Sequence, residues 1–306
     1  MIIIDFSQMA INAITVELKG NDLSPENPET MSSIRHIFFN SFLNFKRKYY
    51  SQYGPEIVFA VDCKDVPYWR KELFPHYKAN RKKEKENSLY DWKFINQAID
   101  VLKAELKEVF PYKVIEVPGA EADDVVAVIS EWVSKNRIVT CGVVEDFEPI
   151  LLASSDSDYS QLMVFPNIRQ HSFKTRALLP QYSLRELYEQ MVTKIVCGER
   201  GDGIPNILSP EDSFVTGTRQ KQILKEKFLN PLIKSSKFKQ DLSEEAYKRF
   251  DLNKRLIDFN YIPDDVRALI LGTYDLYVPN KKDSSKLMKY LSTNRLNQIL
   301  RRADEF

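Results

Sequence analysis

The stretch "YKVIEVPGAEADDVVAVIS", residues 112–130, decides the fold because it predicts a β-strand followed at once by an α-helix. "YKVIEV" is rich in β-branched residues, and an apolar pattern with helical spacing starts at Val125. A strand that leads into a helix is the unit from which parallel sheets are built. Glu121, Asp123 and Asp124 stand where the helix should begin. Acidic side chains are favoured in the first helical turn, so both a capping role and a ligand role stay open.

Short β-rich runs alternate with helical patterns through the first half of the chain, which predicts an α/β fold with a mostly parallel central sheet flanked by helices. Apolar residues recur at helical spacing within residues 34–45, 95–109 and 125–133, and a polar loop is expected at residues 20–30. "VTCGVVEDFEP" (139–149) has β character without a clear role. The other strand candidates are "MIII" (1–4), "EIVFAVD" (56–62) and "PILLASSDSD" (149–158).

Strand signals fade beyond about residue 181, where helical patterns cover residues 184–195 and 223–228. Between those two patterns lies the Gly-bearing turn "GERGDGIPN" (198–206). We therefore expect an α/β domain at residues 1–180 and a smaller, all-helical C-terminal lobe at residues 181–306.

Composition bounds the class of protein. The 306 residues are 43% apolar, with 44 basic against 43 acidic side chains, so net charge does not identify a partner. Cys63, Cys141 and Cys197 form no CxxC pair, and the apolar run before Asp5 is too short for a signal or membrane segment. These features predict a soluble intracellular protein with no membrane association.

Three predicted strands end in carboxylates: Asp5, Asp62, and the pair Asp156 and Asp158. Ligands of open α/β sheets bind at the carboxyl ends of the strands, so these acids should meet those at residues 121–124. Like charges crowded together repel one another unless a cation neutralises them. With no His or Cys among them, the ligands suit Mg²⁺, with Mn²⁺ as a substitute, and two ions about 3.5–4 Å apart would allow phosphodiester hydrolysis.

The segment "YWRKELFPHYKANRKKEK", residues 68–85, carries seven Lys or Arg against two Glu. Trp69, Phe74 and Tyr77 are interleaved with these cations, a mixture that suits phosphate contact with base stacking. A solvated charged helix is the alternative. Exposed backbone N–H groups of the turn at residues 198–206 are expected to contact phosphates, with Arg219 and Lys221 nearby.

These residues resemble the structure-specific 5′ nucleases, a family that includes flap endonucleases and 5′ nuclease domains of bacterial DNA polymerase I, and in particular the branch of T-even phage ribonucleases H. The likeness spans nearly the whole chain. The motifs occur in the family's order: "IDFSQMA" (4–10), "YWRKELFPHYKANR" (68–81), "EADD" (121–124), "SSDSDYSQL" (154–162), "GDGIPN" (201–206) and "LIDFNYIPDD" (256–265).

The resemblance implies a PIN-like 5′ nuclease core, a basic arch or bridge at about residues 64–92, and a helix-turn-helix duplex-binding element at the Gly-bearing turn. It implies metal ligation by Asp5, Asp62, Glu121, Asp123 and Asp156 at one ion, with Asp124 as a further acid, and by Asp158, Glu199 and Asp202 at a second Mg²⁺ ion. Catalytic roles fall on Arg70, Lys78, Asp123 and Asp156, and nucleic-acid contacts on Trp69, Tyr77, Arg81, Lys82, Lys83, Gly201, Gly203, Arg219 and Lys221. Glu199 departs from the aspartate that relatives commonly carry.

The implied activity is removal of RNA primers and adjacent DNA from the 5′ ends of duplexes during phage lagging-strand replication. RNA–DNA hybrids, duplex or flap DNA and a phage single-stranded-DNA-binding protein are the implied partners of a monomer in the cytoplasm of an infected bacterial host. Two alternatives remain: a metal-dependent small-molecule phosphatase, disfavoured because Ser7 breaks a DxD motif, and an inactive DNA-binding replication scaffold.

Overall fold

The computed structural model describes residues 1–20, 28–141 and 144–306. They divide into two compact units. We call Met1–Cys63, Asp91–Leu179 and Arg267–Phe306 the sheet unit, and Lys64–Tyr90 with Pro180–Val266 the helical unit. None of the described helices is long and apolar enough to cross a membrane.

The sheet unit is built on strands that follow the predicted β-rich runs. Its strands are β1 (Ile2–Asp5), β2 (Ile57–Val61), β3 (Lys113–Glu116), β4 (Ile138–Cys141), β5 (Val144–Phe147), β6 (Ile150–Ala153), β7 (Ile168–Ser172) and β8 (Ala177–Leu178). In the described residues, six of them form one sheet in the order β3-β2-β1-β6-β7-β8, parallel except for β8. β1, β2 and β6 are buried on both faces, as continuous apolar runs require in a parallel sheet.

The apolar periodicity at residues 34–45, 95–109 and 125–133 predicts three helices of the sheet unit, where the structure describes seven α-helices. They are α1 (Phe6–Gly20), α2 (Pro28–Tyr53), α5 (Trp92–Val109), α6 (Ala122–Asn136), α12 (Asp264–Leu276), α13 (Ser284–Thr293) and α14 (Asn297–Leu300). α5 starts at an N-cap, Asp91, whose side chain accepts hydrogen bonds from the N–H groups of Lys93 and Phe94, and its apolar stripe is buried. Aromatic rings fill the core, with Phe39 stacked on Phe110 at 4.7 Å.

The helical unit consists mainly of α3 (Trp69–Leu73), α4 (Asn80–Glu86), α7 (Leu184–Cys197), α8 (Ser213–Thr216), α9 (Asn230–Ser235), α10 (Phe238–Asp241) and α11 (Glu244–Ile257). A capping box between Ser183 and Glu186 starts α7. Val192, Val196, Leu232 and Phe250 are among the apolar side chains of the core that α7, α9 and α11 share.

The mostly parallel sheet flanked by helices and the helical C-terminal region are confirmed, but several elements differ from expectation. The stretch 139–149 contributes to β4 and β5, which pair antiparallel outside the main sheet, and residues 142–143 lie outside the described range. The predicted loop at 20–30 has residues 21–27 outside the described range, and α2 begins at Pro28. The helix expected at residues 223–228 forms only in part, as a π-helical turn at Lys225–Leu229, and residues 217–224 before it lie in no helix.

The two units do not follow the predicted division at residue 180. Arg267–Phe306 belongs to the sheet unit, where Phe306 packs against Phe110 with ring centroids 4.9 Å apart. Lys113 Nζ donates to the carbonyl of Tyr274 at 3.0 Å in the same unit. Lys64–Tyr90 clusters instead with Pro180–Val266. Sequence periodicity finds helices but does not report which core their apolar faces enter.

Candidate active site

The strand order places the candidate site at a topological switch point. From β1 the chain adds β2 and β3 on one side, and later β6 and β7 on the other. The switch therefore lies between β1 and β6, and ligands of open α/β sheets bind outside the strand ends at such a point. Asp5 ends β1, Asp62 follows β2 and Asp156 follows β6.

Asp5 is held across this switch point. Its Oδ1 accepts a hydrogen bond from the Gln8 N–H at 3.0 Å, and its Oδ2 accepts one from Ser154 Oγ at 3.1 Å. Burial raises the pKa of Asp5 to about 7, the two hydrogen bonds oppose that shift, and repulsion by Asp62 and Asp156 adds to it. The sheet therefore holds a carboxylate where its negative charge is costly.

Asp62 joins three elements of the sheet unit. Its Oδ2 accepts from Ser7 Oγ at 2.9 Å, and its Oδ1 accepts from the Ala122 N–H, at the start of α6, at 3.0 Å. Asp156 accepts the Asp158 N–H on Oδ1 at 2.8 Å, which caps a 3₁₀ segment, Ser157–Val164. Backbone N–H and hydroxyl groups thus hold the Asp62 and Asp156 side chains in place.

Asp123 is tied to the loop after β6 by a buried tyrosine. Tyr159 Oη donates to Asp123 Oδ1 at 2.6 Å. Burial raises the pKa of Tyr159 well above its ordinary value, and the charges of Asp123, Asp5 and Asp156 raise it further. Asp5, Asp62, Asp123 and Asp156, which we call the acid cluster, are therefore close enough to act on one another or on one shared neighbour.

Glu121 and Asp124 take the capping role that the sequence left open. Asp124 Oδ2 accepts the Glu121 N–H at 3.0 Å, and the two side chains form a capping box at the start of α6. Both residues are buried. Their role as metal ligands stays a prediction.

The chemistry of the acid cluster fits a hard divalent cation. Its donors are carboxylate oxygens, and their mutual repulsion is the condition that a cation relieves. No three acidic, His or Cys side chains within the described ranges are arranged as a ready set of metal ligands. Mg²⁺ usually keeps several waters and takes one or two carboxylates directly, so it does not need such a set.

Asp202, in the helical unit, has a different environment from the acid cluster. Its Oδ1 lies 2.8 Å from Arg81 Nη2 and 3.4 Å from Lys78 Nζ, and its Oδ2 accepts from Tyr77 Oη at 3.0 Å. Burial acts to raise the pKa of Asp202, but Lys78, Arg81 and the Tyr77 hydrogen bond outweigh it and lower the pKa. Asp202 is thus already neutralised by the chain's own cations.

Two expected stacking residues are buried instead, which corrects that part of the sequence reading. Tyr77 is 2% exposed and packs with Phe74, Ile204 and Leu256, so no base can stack on its ring in this conformation. Trp69 is also buried, beneath the Arg70 guanidinium at 4.3 Å. The aromatic residues that alternate with cations in this segment pack into a small core of the helical unit. Large aromatic rings contribute much of the apolar area that such a core buries.

Arg70 and Lys78, the expected catalytic cations, both have partners within the helical unit. Arg70 is 3% exposed, and its Nε donates to the Leu256 carbonyl at 2.9 Å. Lys78 has a left-handed backbone, φ 57°, and its N–H donates to the Asp202 carbonyl at 2.8 Å. Their contact with a scissile phosphate stays a prediction.

The Gly-bearing turn lies close to the segment at residues 76–80, and Gly203 lies at that contact. Gly203 has φ +69°, and a Cβ there would lie 2.8 Å from Asn80 Oδ1 and 3.3 Å from the His76 carbonyl. Glu199 pairs with Ile204 in an antiparallel bridge that closes the turn. α8, a single helical turn, is the next helix after it, so the expected helix-turn-helix has no long second helix in this part of the described chain.

The contact of the other expected basic residues with nucleic acid stays a prediction. Arg81, Lys82 and Lys83 lie on α4, and Arg219 and Lys221 lie in the extended stretch before the π-helical turn. All five side chains are exposed.

Sequence reasoning missed the uncharged residues that hold the acids. Ser7, Gln8, Ser154 and Tyr159 stand within the quoted motifs, but nothing in their spacing distinguishes a hydrogen-bond donor from a surface residue. Strand β7 was missed for a related reason. Its Gln170 is buried because Nε2 donates to the carbonyls of Ser154 and Asp156, so a polar residue interrupts the apolar pattern of the strand.

Comparison with known proteins covers both parts of the chain. Residues 2–191 match the family model of the 5′-3′ exonuclease N-terminal resolvase-like domain, and residues 187–306 match that of the C-terminal part of T4 RNase H. Ribonuclease H of Enterobacteria phage T4 is 28% identical over 309 residues, covering 99% of this chain and 95% of that protein. DNA polymerase I of Borreliella burgdorferi is 24% identical over 190 residues, 62% of this chain and 19% of that protein.

Solved structures show the same fold. T5 5′-exonuclease with bound zinc aligns with a TM-score of 0.56 at 16% identity, covering 90% of this chain and 98% of that chain. T5 D15 flap endonuclease, solved with DNA and metal ions, aligns with a TM-score of 0.52 at 17% identity, covering 90% and 97%.

Proposed function

Since the chain belongs to the 5′-3′ exonuclease family, we propose that it removes RNA primers and adjacent DNA from the 5′ ends of duplexes in phage lagging-strand replication, using Mg²⁺. The chain is a 5′ nuclease by that membership. Similarity to T4 ribonuclease H along almost the whole chain supports the ribonuclease H activity of the proposal. The likeness of the fold to T5 D15 flap endonuclease supports the flap endonuclease activity that the proposal also includes.

The observation that carries the proposal is the acid cluster at the switch point between β1 and β6. A carboxylate with a pKa of about 7, close to two others at a sheet edge, is an arrangement that costs stability without serving the core. Such a cost is expected where a divalent cation and a phosphate must be received. A small-molecule phosphatase is not proposed, because the family is one of nucleases.

The residues of the chain have distinct parts in the proposed reaction. When bound, Mg²⁺ lowers the pKa of a coordinated water and polarises a phosphoryl oxygen, so no separate side-chain base is required. Asp5, Asp123 and Asp156 would hold the ion, one or two of them directly and the others through its bound waters. Asp62 would add negative charge while its hydrogen bonds to Ser7 and Ala122 keep the ends of β1, β2 and α6 together.

The remaining expected contacts stay predictions of the same proposal. A second ion at Asp158, Glu199 and Asp202, charge stabilisation by Arg70 and Lys78, substitution by Mn²⁺, action as a monomer and a single-stranded-DNA-binding partner are among them. Asp202 would have to exchange Lys78 and Arg81 for an ion before it could serve as a ligand.

Product length from a nicked duplex with a labelled 5′ strand tests the proposal. The 5′ strand is made as RNA and as DNA, with and without a flap, and incubated with Mg²⁺ or with a chelator. We expect short 5′ products that disappear with the chelator. Asp123→Asn should greatly lower cleavage while duplex binding stays measurable, and Asp100→Asn, an exposed acid of α5, should cleave like the wild type.

The alternative of an inactive DNA-binding scaffold predicts salt-sensitive duplex binding without cleavage of any substrate. That result would contradict the nuclease proposal. Full activity in both Asp123→Asn and Asp202→Asn would refute the assignment of the site.

A further inference from the structure

Tyr159 is a fully buried side chain whose hydroxyl faces the acid cluster. It lies three residues after Asp156, in the 3₁₀ segment Ser157–Val164, and its Oη is 2.6 Å from Asp123 Oδ1. We propose that Tyr159 is a positioning residue that fixes the Asp123 carboxylate against the loop of Asp156 and thereby sets the affinity of the site for its divalent cation. This inference rests on the proposed metal-dependent function.

The first argument is the strength of the contact. Tyr159 is fully buried, so the hydrogen bond that its hydroxyl donates to Asp123 is shielded from competition by bulk water. At 2.6 Å the contact has the length of an O–H···O⁻ bond, which is about twice as strong as a neutral one.

The second argument is the choice of donor. Asp202 is held by Lys78 and Arg81, whose positive charges neutralise it. The Tyr159 hydroxyl restricts rotation of the Asp123 carboxylate and, because it is uncharged, does not itself neutralise that carboxylate. Asp5 and Asp62 likewise have hydroxyl and N–H donors, from Ser154 and Ser7 among others. Orientation without neutralisation is what a site that must attract Mg²⁺ requires.

The third argument is rigidity. The Asp158 N–H bonds to Asp156 Oδ1 at 2.8 Å, so the segment that carries Tyr159 starts from Asp156 itself. Asp123 lies in the first turn of α6, which begins with the capping box of Glu121. The Tyr159 hydroxyl therefore joins two locally fixed elements and sets the separation of their acids.

Tyr159→Phe removes only the hydroxyl, and the chain offers a matched control. Tyr274 in the sheet unit is also fully buried, and its hydroxyl donates to a carboxylate, Glu56 Oε1, at 2.8 Å. We measure two quantities for the wild type, Tyr159→Phe and Tyr274→Phe: the rise in Tm on addition of Mg²⁺ to chelator-treated protein, and the Mg²⁺ concentration that gives half-maximal cleavage.

We expect Tyr159→Phe to need about 10- to 100-fold more Mg²⁺ for both, the usual effect of removing a residue that orients a metal ligand. Tyr274→Phe should lower the Tm of the metal-free protein and leave both Mg²⁺ responses as in the wild type. Equal Mg²⁺ responses in Tyr159→Phe and wild type would overturn the inference, and so would an equal loss in the two variants.

A double-mutant cycle places the effect at Asp123. If Tyr159 acts through that carboxylate, Tyr159→Phe added to Asp123→Asn should change the Mg²⁺-dependent rise in Tm no further. A full additional loss in the double variant contradicts the inference. A wild type with neither cleavage nor a Mg²⁺-dependent rise in Tm would instead refute the proposed function, and this inference with it.

Discussion

Asp5 shows at the scale of one residue how the site departs from what stability alone would select. Both of its oxygens accept hydrogen bonds, yet burial and two nearby acids raise its pKa to about 7. A neutral side chain of the same shape would satisfy the same geometry. The sequence predicts the residue type and its place at a strand end, but not this tension, which depends on distances to Asp62 and Asp156.

We predict that Asp5→Asn stabilises the metal-free protein while abolishing cleavage. The amide keeps an acceptor for the Gln8 N–H and can donate to Ser154 Oγ, and it removes the repulsion by Asp62 and Asp156. A gain on the order of 4 kcal/mol in the free energy of unfolding is expected at pH 8, because folding raises the pKa of Asp5 from 3.8 to about 7. Urea unfolding in chelator measures it, and a variant less stable than the wild type would contradict the prediction.

The same carboxyl predicts a pH dependence. The pKa of Asp5 is 3.8 in the unfolded chain and about 7 in the folded protein, so between those values the folded state binds the proton more tightly. Its contribution to stability is complete below the unfolded value and is lost as pH rises through the folded one. The difference in unfolding free energy between wild type and Asp5→Asn, measured in chelator, should therefore widen from about pH 4 to about pH 7 and then stay constant. A difference independent of pH would rule out this assignment.

Among the elements, the turn at residues 198–206 and the segment at residues 76–81 are joined by hydrogen bonds. Arg81 Nε donates to the Gly201 carbonyl at 2.9 Å, and Asn80 Nδ2 donates to the Arg200 carbonyl at 3.0 Å. Gly203 allows this approach because it has no Cβ and a positive φ.

We predict that Gly203→Ala destabilises this contact and Gly201→Ala does not. Alanine at φ +69° is strained, at a cost of about 1–2 kcal/mol, and its Cβ would press on Asn80. At Gly201 the nearest atom to a Cβ is Glu199 Oε1 at 3.7 Å, an ordinary contact. Amide hydrogen exchange of residues 76–86 reports the difference. Equal exchange rates in the two variants would show that close approach at Gly203 does not hold the two segments together.

Elements could be predicted where local pattern and burial agree. The βα unit at residues 112–130 and the apolar stripe of α5 formed as expected because the buried face of each matches its period. Prediction failed where tertiary contacts decide. Trp69 and Tyr77 are ambiguous in sequence, since an aromatic ring beside a cation can stack on a base or enter a core. Ile223 and Leu224 begin an expected helical pattern but lie before the π-helical turn, in a stretch that Asn206 holds as a loop by donating from Nδ2 to the Lys221 carbonyl.

At the scale of the whole molecule, the two units take their residues from non-contiguous parts of the chain. Phe306 lies within the aromatic core of the sheet unit, with ring centroids 5.7 Å from Phe39 and 4.9 Å from Phe110. A division by sequence position alone would have assigned it to the helical lobe. Three-dimensional packing, and not chain order, therefore decides which unit a substitution disturbs.

We predict that Phe306→Ala loosens the sheet unit, at a cost of about 3–5 kcal/mol for an emptied aromatic site. Amide exchange should rise in α2, which contains Phe39, and in α5, which ends directly before Phe110. Phe238→Ala is the matched control, because Phe238 stacks on Phe250 at 4.5 Å in the helical unit. It should raise exchange in α11 instead. Faster exchange in α7 and α11 on Phe306→Ala would restore the division at residue 180.

Charge is also distributed by position, although the chain as a whole carries only +1. Residues 219–239 contain seven Lys or Arg against Glu226 as the one acid, and all seven cations are exposed.

We predict that Lys221→Gln, Lys225→Gln and Lys227→Gln weaken duplex binding for every base sequence, because exposed cations of this kind contact phosphates. The slope of log affinity against log salt, measured in chelator, should fall by about 0.9 for each contact removed. Lys289→Gln, at an exposed position of α13 in the sheet unit, is the charge-matched control and should leave that slope unchanged. Equal slopes in all four variants would mean that the duplex is bound by another face of the protein. The exposed cations of α4 would then be the next candidates for substitution.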